Sequence, residues 1–458
     1  MDRTNALTFS VLGGGGEVGA SCFQLSVNGE HLILDSGTHP KKEGRDALPE
    51  FSLLRRAPDA VLVSHAHQDH CGSLPYLGRQ FPGIRTFTTI PTVRIMERML
   101  HNSVSVMGMI RRERGVEDYP LYYHEDVDYT MRSVVGQPMG QPFQLPLQTP
   151  VEVTYLRAGH VLGSASILLR FPGHTVLYSG DICETDQELM PGYAQLPDDL
   201  KVDTLIVEST NGALDESKVH DYKEESSRLG EAINETIRGG GSALIPSFAL
   251  GRTQEMLNII ARLQKEGKIP WVPVYASGLG RAVYELYDRY SDYLLPKASL
   301  QPLSRFERLG DVWNPRVVKS LLRDPCIIVA TSGMMLENTP SAMIAEEMVK
   351  HDQHGIFFVG YLDHETLGHH LLHAEAGDPL QFCLESPAVE VRLRNIKRFH
   401  FSAHASRASL RTYIDTVQPK NVIYVHGDVN AIDWMRVHTG AGRQAYTPAI
   451  GQSITLEQ

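Results

Sequence analysis

Short apolar runs rich in β-branched residues recur along the chain, and many of them stop at a polar or metal-capable group. His31-Leu-Ile-Leu34 ends at Asp35, Ala60-Val-Leu-Val63 at Ser64 and His65, and Thr175-Val-Leu-Tyr178 at Ser179-Gly180-Asp181. Thr204-Leu-Ile-Val207 ends at Glu208, and Asn421-Val-Ile-Tyr-Val425 at His426. Runs of this length and composition predict buried strands. In layered α/β proteins, ligands gather where strands give way to loops at one end of a sheet. Five strands that carry acids and imidazoles to their ends therefore predict one shared site.

The middle of the chain keeps the rhythm and changes the chemistry. Ala243-Leu-Ile-Pro-Ser247 is followed by Gly251-Arg252-Thr253 and a helical pattern over Thr253 to Glu266. Pro273-Val-Tyr-Ala-Ser277 leads into Gly278, Cys326-Ile-Ile-Val-Ala330 into Thr331-Ser332-Gly333, and Ile356-Phe-Phe-Val-Gly360 into Tyr361. These runs end in hydroxyl residues and glycines, so they predict a second α/β domain. The metal-type pattern resumes only at His404 and His426. The expected organisation is a first domain in two parts, 1–209 and 391–458, with residues 210–390 inserted. No low-complexity segment and no short internal repeat interrupts this pattern.

Composition narrows the class. A chain of 458 residues, 42% of them hydrophobic, has the length for more than one core. No apolar run approaches the roughly 18 residues that would span a bilayer, and Met1 to Ser10 makes a poor signal peptide. The expectation is a cytoplasmic protein without a membrane partner. Five cysteines with no CxxC pair argue against a disulfide framework or zinc ribbon and for buried free thiols. The net charge of −11 runs against a nucleic-acid binder, but bound dications would add positive charge that this count omits. Basic residues also cluster at Arg111, Arg112 and Arg114, and at Arg392, Arg394, Lys397 and Arg398. Each cluster reads as a solvated face ahead of a nucleic-acid track.

His65-Ala-His67-Gln-Asp69-His70 is the strongest chemical signal. Neutral imidazoles and a carboxylate suit zinc and similar metals. In an extended segment His65 and His67, two apart, point the same way, and Asp69 and His70 then turn toward a second position. Six residues cannot surround two metals. His160 in Gly159-His160-Val-Leu-Gly163, Asp181 with two oxygens able to bridge, and His426 before Gly427 are the candidates for the remaining ligands. Asp35 fits better as a residue that orients a ligand by a hydrogen bond. Two metals roughly 3.5–4 Å apart can share a hydroxide and polarise a phosphoryl or carbonyl oxygen. The motif therefore fixes hydrolysis more firmly than substrate.

His65-x-His67-x-Asp69-His70, with Asp35, His160 and Asp181, resembles the metallo-β-lactamase superfamily. The middle domain and the later motifs resemble its β-CASP branch of nucleic-acid-processing nucleases, which includes the cleavage and polyadenylation endonuclease, its prokaryotic relatives and RNase J. The resemblance covers nearly the whole chain, including Glu17-Val-Gly-Ala-Ser-Cys22, the segment from Ile245 to Glu255, Thr331-Ser-Gly-Met334 and Thr366-Leu-Gly368. It implies an αββα sandwich with an inserted α/β β-CASP domain. It also implies that His65, His67 and His160 hold one metal, that Asp69, His70 and His426 hold the other, and that Asp181 bridges. The branch's acidic motif matches Glu208 of Glu208-Ser-Thr-Asn-Gly212, where Asn211 replaces the usual tyrosine. Its second and third motifs match His404 and His426.

Asp69, Glu208 and His404 are the catalytic candidates, with His404 steadied by Glu208 as general acid for the leaving ribose oxygen. Ser247 and Arg252 at a strand-to-helix junction, with Ser332 and Ser406, are the candidate substrate contacts. Ser406 after His404 resembles the RNase J pattern, in which a nearby serine helps hold a terminal phosphate. His369 and His370 stand where relatives often carry arginine. The expected activity is a two-metal ribonuclease acting on single-stranded RNA, with two zinc ions, or manganese in their place. DNA as substrate, a small-molecule ester or thioester hydrolase, and an inactive partner subunit are the alternatives, and a homodimer is compatible with the sequence.

Overall fold

The computed structural model describes residues 6–197, 199–215, 220–383 and 386–456. The apolar runs are strands, and their alternation decides which core each side chain enters. In Thr204–Glu208, Ile206 joins a core shared by two facing sheets, whereas Leu205 and Val207 turn to the opposite face. Successive side chains of a strand point to opposite sides, so one short apolar run serves two layers.

The first sheet has seven strands, in the spatial order Ser453–Leu456, Leu7–Gly13, Cys22–Val27, Glu30–Leu34, Ala60–Leu62, Arg85–Thr89 and Val134–Gln137. The second, also seven-stranded, runs Gln444–Tyr446, Asn421–Val425, Thr204–Glu208, His174–Tyr178, Ala165–Phe171, Glu152–Arg157 and Phe143–Gln144. Phe9, Phe23, Leu32 and Leu62 of the first sheet pack with Tyr155, Ile167, Tyr178 and Ile423 of the second. The helices Arg407–Val417 and Val429–Val437 cover the outer face of the second sheet through Leu410, Tyr413, Ile414, Ile432 and Met435. The helices Leu74–Gln80, Ile90–Arg114 and His124–Met131 pack with the first sheet's half of this unit. This is the expected αββα sandwich. The five strands that carry acids and imidazoles divide between its two sheets instead of lying in one. Asp35 and His65 follow first-sheet strands, and Asp181, Glu208 and His426 belong to the second.

The second compact unit is built on six parallel strands, ordered Glu307–Arg308, Val274–Ala276, Ile327–Ala330, Ala243–Pro246, Gly355–Phe358 and Ile396–Arg398. Both faces are covered, as parallel sheets require. Ala243 and Ile245 enter one core with Leu229, Ile233, Met256 and Ile260, while Leu244 and Ile356 enter another with Ile344, Met348 and Leu371.

The unit boundaries differ from the sequence expectation of 210–390. The first unit comprises Met1–Asp186, Pro191–Glu216 and Ala403–Gln458, and the second Gln187–Met190 and Ser217–Ser402. The return falls later than 391 because Ile396–Arg398 pairs beside Gly355–Phe358 and because Phe399 and Phe401 belong to the second unit's core. The short Gln187–Met190 excursion is fixed by Glu255. Its buried carboxyl group accepts the N–H groups of Glu188 (2.7 Å), Leu189 (3.1 Å) and Met190 (3.3 Å), and its Oε2 lies 3.0 Å from the hydroxyl of Tyr222. All five cysteines are free, and four of them are buried. Among the described residues, no helix is long and apolar enough to cross a membrane.

Candidate metal centre

The turn that carries Asp69 and His70 is held by backbone before any side chain is considered. The carbonyls of Gln68, Asp69 and His70 accept the N–H groups of Thr38, Ser21 and Ser36 at 2.8, 2.9 and 2.8 Å. Gly37 makes that approach possible, because a Cβ there would lie 1.8 Å from the Asp69 carbonyl oxygen. His65, just beyond the strand Ala60–Leu62, and His67, at the start of the helical turn Gln68–Cys71, are thereby fixed to the same frame.

Four side chains converge on one point. His65 Nε2 lies 3.1 Å from His67 Nδ1, and His160 Nε2 lies 3.0 Å from the same nitrogen. Asp181 Oδ2 lies 3.6 Å from His65 Nε2 and 3.7 Å from His160 Nε2. Metal–nitrogen bonds of about 2.0–2.1 Å at tetrahedral angles set ligand atoms roughly 3.3 Å apart, and these four separations bracket that edge. Asp69, His70 and His426 form a second donor set. His426 Nε2 is 3.3 Å and His70 Nε2 3.8 Å from Asp69 Oδ2. His70 Nε2 also lies 3.3 Å from Asp181 Oδ2, and His426 Nδ1 lies 3.5 Å from Asp181 Oδ1. Asp181 therefore faces both sets. Its Oδ1, like His70 Nε2, is buried and makes no hydrogen bond, which is costly unless something else satisfies these atoms. A pair of cations would do so, and the donor set fits zinc.

Charge tells the same story. Burial holds His65 and His160 well below the usual imidazole range, so both offer lone pairs at neutral pH. Burial also opposes charge on His70, but Asp181, Asp69 and Asp35 outweigh it and raise its proton affinity well above normal. Against the cost of burial, Asp181 is held ionised by His426, His70 and His404, and Asp69 by His70 and His426. The site is a negative field lined with imidazoles, which is the setting a dication neutralises.

A further layer aims the ligands. Asp35, fully buried and at φ +59°, accepts the Ser64 N–H (2.7 Å), the Ser64 hydroxyl (2.7 Å), the Tyr178 hydroxyl (2.6 Å) and the His70 Nδ1–H (2.8 Å). His160 donates its Nδ1–H to the Ala403 carbonyl at 2.7 Å. Each bond fixes a tautomer and turns Nε2 toward the centre. The segment after Glu208 arranges both late histidines. Glu208 Oε2 meets His404 Nδ1 at 3.0 Å, while Oε1 accepts the Ile182 N–H at 2.8 Å. The Thr210 hydroxyl donates to the His426 carbonyl (3.3 Å) and is 3.1 Å from His426 Nδ1, whose N–H it accepts. The Asn211 amide donates to the carbonyls of His404 (3.1 Å) and Ala405 (3.2 Å). Burial disfavours the charged form of His404, but Glu208 and then Asp181 overcome it, and its pKa is pushed up to about 9. Asp181, Glu208 and His404 also converge as a third donor set. Both Glu208 oxygens are already engaged within the protein, one by His404 and one by the Ile182 N–H.

His65, His67, Asp69, His70, His160, Asp181, Glu208, His404 and His426 thus come together in the first unit, with Asp35 directly behind His70 and Ser64. Ser406 stands two residues beyond His404 and caps the helix Arg407–Val417, accepting the Ser409 N–H at 3.1 Å. Ser247, Arg252 and Ser332 belong to the second unit. Ser247 and Ser332 follow the neighbouring parallel strands Ala243–Pro246 and Ile327–Ala330 at the same end of the sheet, and Arg252 is buried with its guanidinium 3.3 Å from Gln187 Oε1. Arg111, Arg112 and Arg114 are exposed in the last turn of Ile90–Arg114, where cations complement the helix dipole. Sequence reasoning missed the supporting roles of Ser64, Tyr178 and Thr210. Their only signal is adjacency to a ligand or acid, and for Asn211 it is the departure from tyrosine.

Comparison with known proteins agrees with this geometry. The chain matches the Beta-Casp domain over residues 253–371, the Zn-dependent metallo-hydrolase RNA specificity domain over 388–448, and the family of the anti-Pycsar protein Apyc1 over 18–238. It is 31% identical to the cleavage and polyadenylation specificity factor subunit 3 of Dictyostelium discoideum, over 98% of this chain and 57% of that one. It is 30% identical to endoribonuclease YSH1 of Candida glabrata, over 94% and 56%. The chain thus spans little more than half the length of these two relatives. A solved structure of a protein of unknown function from Enterococcus faecalis shares the fold, with a TM-score of 0.57 at 14% identity over 98% of this chain and 100% of that one. An RNase J-like protein of Methanocaldococcus jannaschii is 30% identical over 91% of both chains. With a relative of that reach, and with donor atoms spaced for a metal, the chain belongs to the metallo-β-lactamase β-CASP nuclease family of Zn-dependent metallo-hydrolases.

Proposed function

We propose that this protein is a ribonuclease that hydrolyses phosphodiester bonds of single-stranded RNA. His65, His67 and His160 would hold one zinc ion, Asp69, His70 and His426 the other, and Asp181 both; manganese is the alternative metal. The observation that carries the reading is the His404–Glu208 pair at 3.0 Å. It sets an acid beside a hydrolytic donor set, with His404 the more exposed partner at 22% and Glu208 at 1%. When bound, the cations supply Lewis acidity and an activated water at neutral pH.

The protein's own groups do the rest. Glu208 holds the imidazolium of His404 through Nδ1, leaving Nε2–H to protonate the departing ribose oxygen. Asn211 fixes the backbone that carries His404. Asp35 and the Ala403 carbonyl keep His70 and His160 in the tautomers that present Nε2. RNA as the polymer is supported by the match to an RNA specificity domain, which contains both His404 and His426, and by relatives named as endoribonucleases. Ser247, Arg252, Ser332 and Ser406 are the proposed contacts to the strand.

The test is cleavage of an end-labelled single-stranded RNA and a matched DNA by metal-loaded wild type and by Asp181→Ala. RNA fragments made only by wild type support the reading. Internal cuts mark an endonuclease, and mononucleotides from a 5′-phosphorylated end mark an exonuclease. DNA cleavage without RNA cleavage, or an intact RNA with metals confirmed, overturns it.

A further inference from the structure

The second unit carries a group of histidines that the proposed chemistry does not use. The strand Gly355–Phe358 runs into Tyr361-Leu-Asp-His364-Glu-Thr-Leu-Gly-His369-His370-Leu-Leu-His373, with a helix at Leu367–Leu372. His369 and His373 stand four residues apart, on one face of that helical turn. Their rings are 4.2 Å apart between centroids and inclined at 35°. The ring of His370 lies 6.4 Å from that of His369. His364 is 73% exposed, with its Nδ1 3.7 Å from Asp363 Oδ1. Asp363, His364 and Glu365 bring their donor atoms together just ahead of the helix.

Three features make this more than a polar surface. The Nδ1–H of His373 donates to the His369 carbonyl at 2.9 Å, which fixes the tautomer and leaves the Nε2 lone pair directed outward. Slight burial, then His373, His370, His364 and Arg398, lower the proton affinity of His369, so adding a proton here is disfavoured. The helix itself is anchored: Gly368 N–H donates to the Met334 carbonyl, and the Thr366 side chain caps the His369 N–H. Two neighbouring imidazole lone pairs on a fixed turn suit a borderline divalent transition cation.

We infer that His369 and His373 form a surface site that holds a divalent transition-metal ion through two imidazoles, with solvent completing its coordination, separate from the buried centre of the first unit. Zinc, nickel and copper are the ions of the right class, since imidazole suits all three. Occupancy would pin the last turn of the helix, from His369 to its C-cap His373. It would also give the protein a metal content above that of the buried centre.

The experiment uses the zinc-loaded full chain without an affinity tag. Nickel binding is counted by equilibrium dialysis and checked by retention on immobilised nickel. The proteins compared are wild type, His369→Gln/His373→Gln, and His438→Gln. His438 is the control because its Nδ1 also donates to a carbonyl, that of Trp434, at 2.7 Å. Wild type and His438→Gln are expected to bind one nickel beyond the buried zinc. The double variant should bind it more than about tenfold more weakly, a larger loss than the smallest produced by disturbing a ligand's support alone, and the zinc that stays bound after dialysis against a weak chelator, that of the buried centre, should be unchanged. Equal nickel binding by the double variant and wild type overturns the proposal. So does loss of binding in His438→Gln alone, or the absence of any nickel beyond the buried centre.

Discussion

Glu208→Gln isolates the charge that steadies His404. Glutamine has nearly the same shape, and its carbonyl still accepts the Ile182 N–H, which lies 2.8 Å from Glu208 Oε1. What changes is the 3.0 Å contact with His404 Nδ1. An ionised acceptor becomes an amide that presents N–H to N–H. A hydrogen bond to a charged group contributes about 1.5–3 kcal/mol, and each 1.36 kcal/mol of barrier is tenfold in rate. Cleavage should therefore slow by roughly 10- to 150-fold. The seven proposed ligands are untouched, so bound metal should stay at the wild-type level. The assay is single-turnover cleavage of labelled RNA at saturating enzyme, with metal content measured on the same preparations. A loss of less than about threefold would mean that Glu208 does not support the acid. A rate loss that tracks lost metal would place Glu208 among the structural supports of the centre instead.

Asp35→Asn should weaken metal binding by about 10- to 100-fold, the usual effect of disturbing a ligand's hydrogen-bond support; competition with a chelator measures it, and wild-type affinity would refute the role. Asn211→Ala removes two hydrogen bonds to the backbone around His404. At about 0.5–1.5 kcal/mol each, it should slow cleavage by roughly 5- to 150-fold while sparing metal, as read by rate and metal content together. Glu255 predicts a pH effect on the stability of the second unit. Burial pushes its carboxyl up to about 7 despite Arg252 and the surrounding donors, so the native state keeps a proton that the unfolded chain releases near 4.5. Its contribution is therefore fully present below about pH 4.5 and is lost as pH rises through about 7, a few kcal/mol in total. Urea unfolding at pH 5 and pH 8 should show that fall in wild type and a smaller one in Glu255→Gln.

Much of this was legible in the sequence because strands and ligands are local signals. The run before Glu208 shows in four residues that a buried strand ends at an acid, and His65 to His70 places four donors within six positions. Tertiary context decided the rest. Nothing in Ala60-Val-Leu-Val63 or Thr204-Leu-Ile-Val207 says that they lie in different sheets, since buried strands look alike from either side. The return to the first unit was expected at 391 because the histidine motifs begin soon after it. Ile396–Arg398 reads as a weak, charged segment, and only its pairing with Gly355–Phe358 reveals it as the edge of the second unit's sheet. Tyr178 ends a strand like any core aromatic, and its bond to Asp35 joins residues 143 positions apart.

The bonds from Asn211 to His404 and Ala405 have an evolutionary reading. The chain leaves the sandwich for its long excursion shortly after Asn211 and comes back at Ala403, so one side chain fastens the departure point to the landing point. Insertions are tolerated where the flanking ends already lie close together, since the host need not be rerouted. A lineage of this architecture can therefore lengthen, shorten or rebuild the inserted segment and leave every histidine and aspartate of the centre in place. Selection on the inserted segment is then free to run separately from selection on the centre.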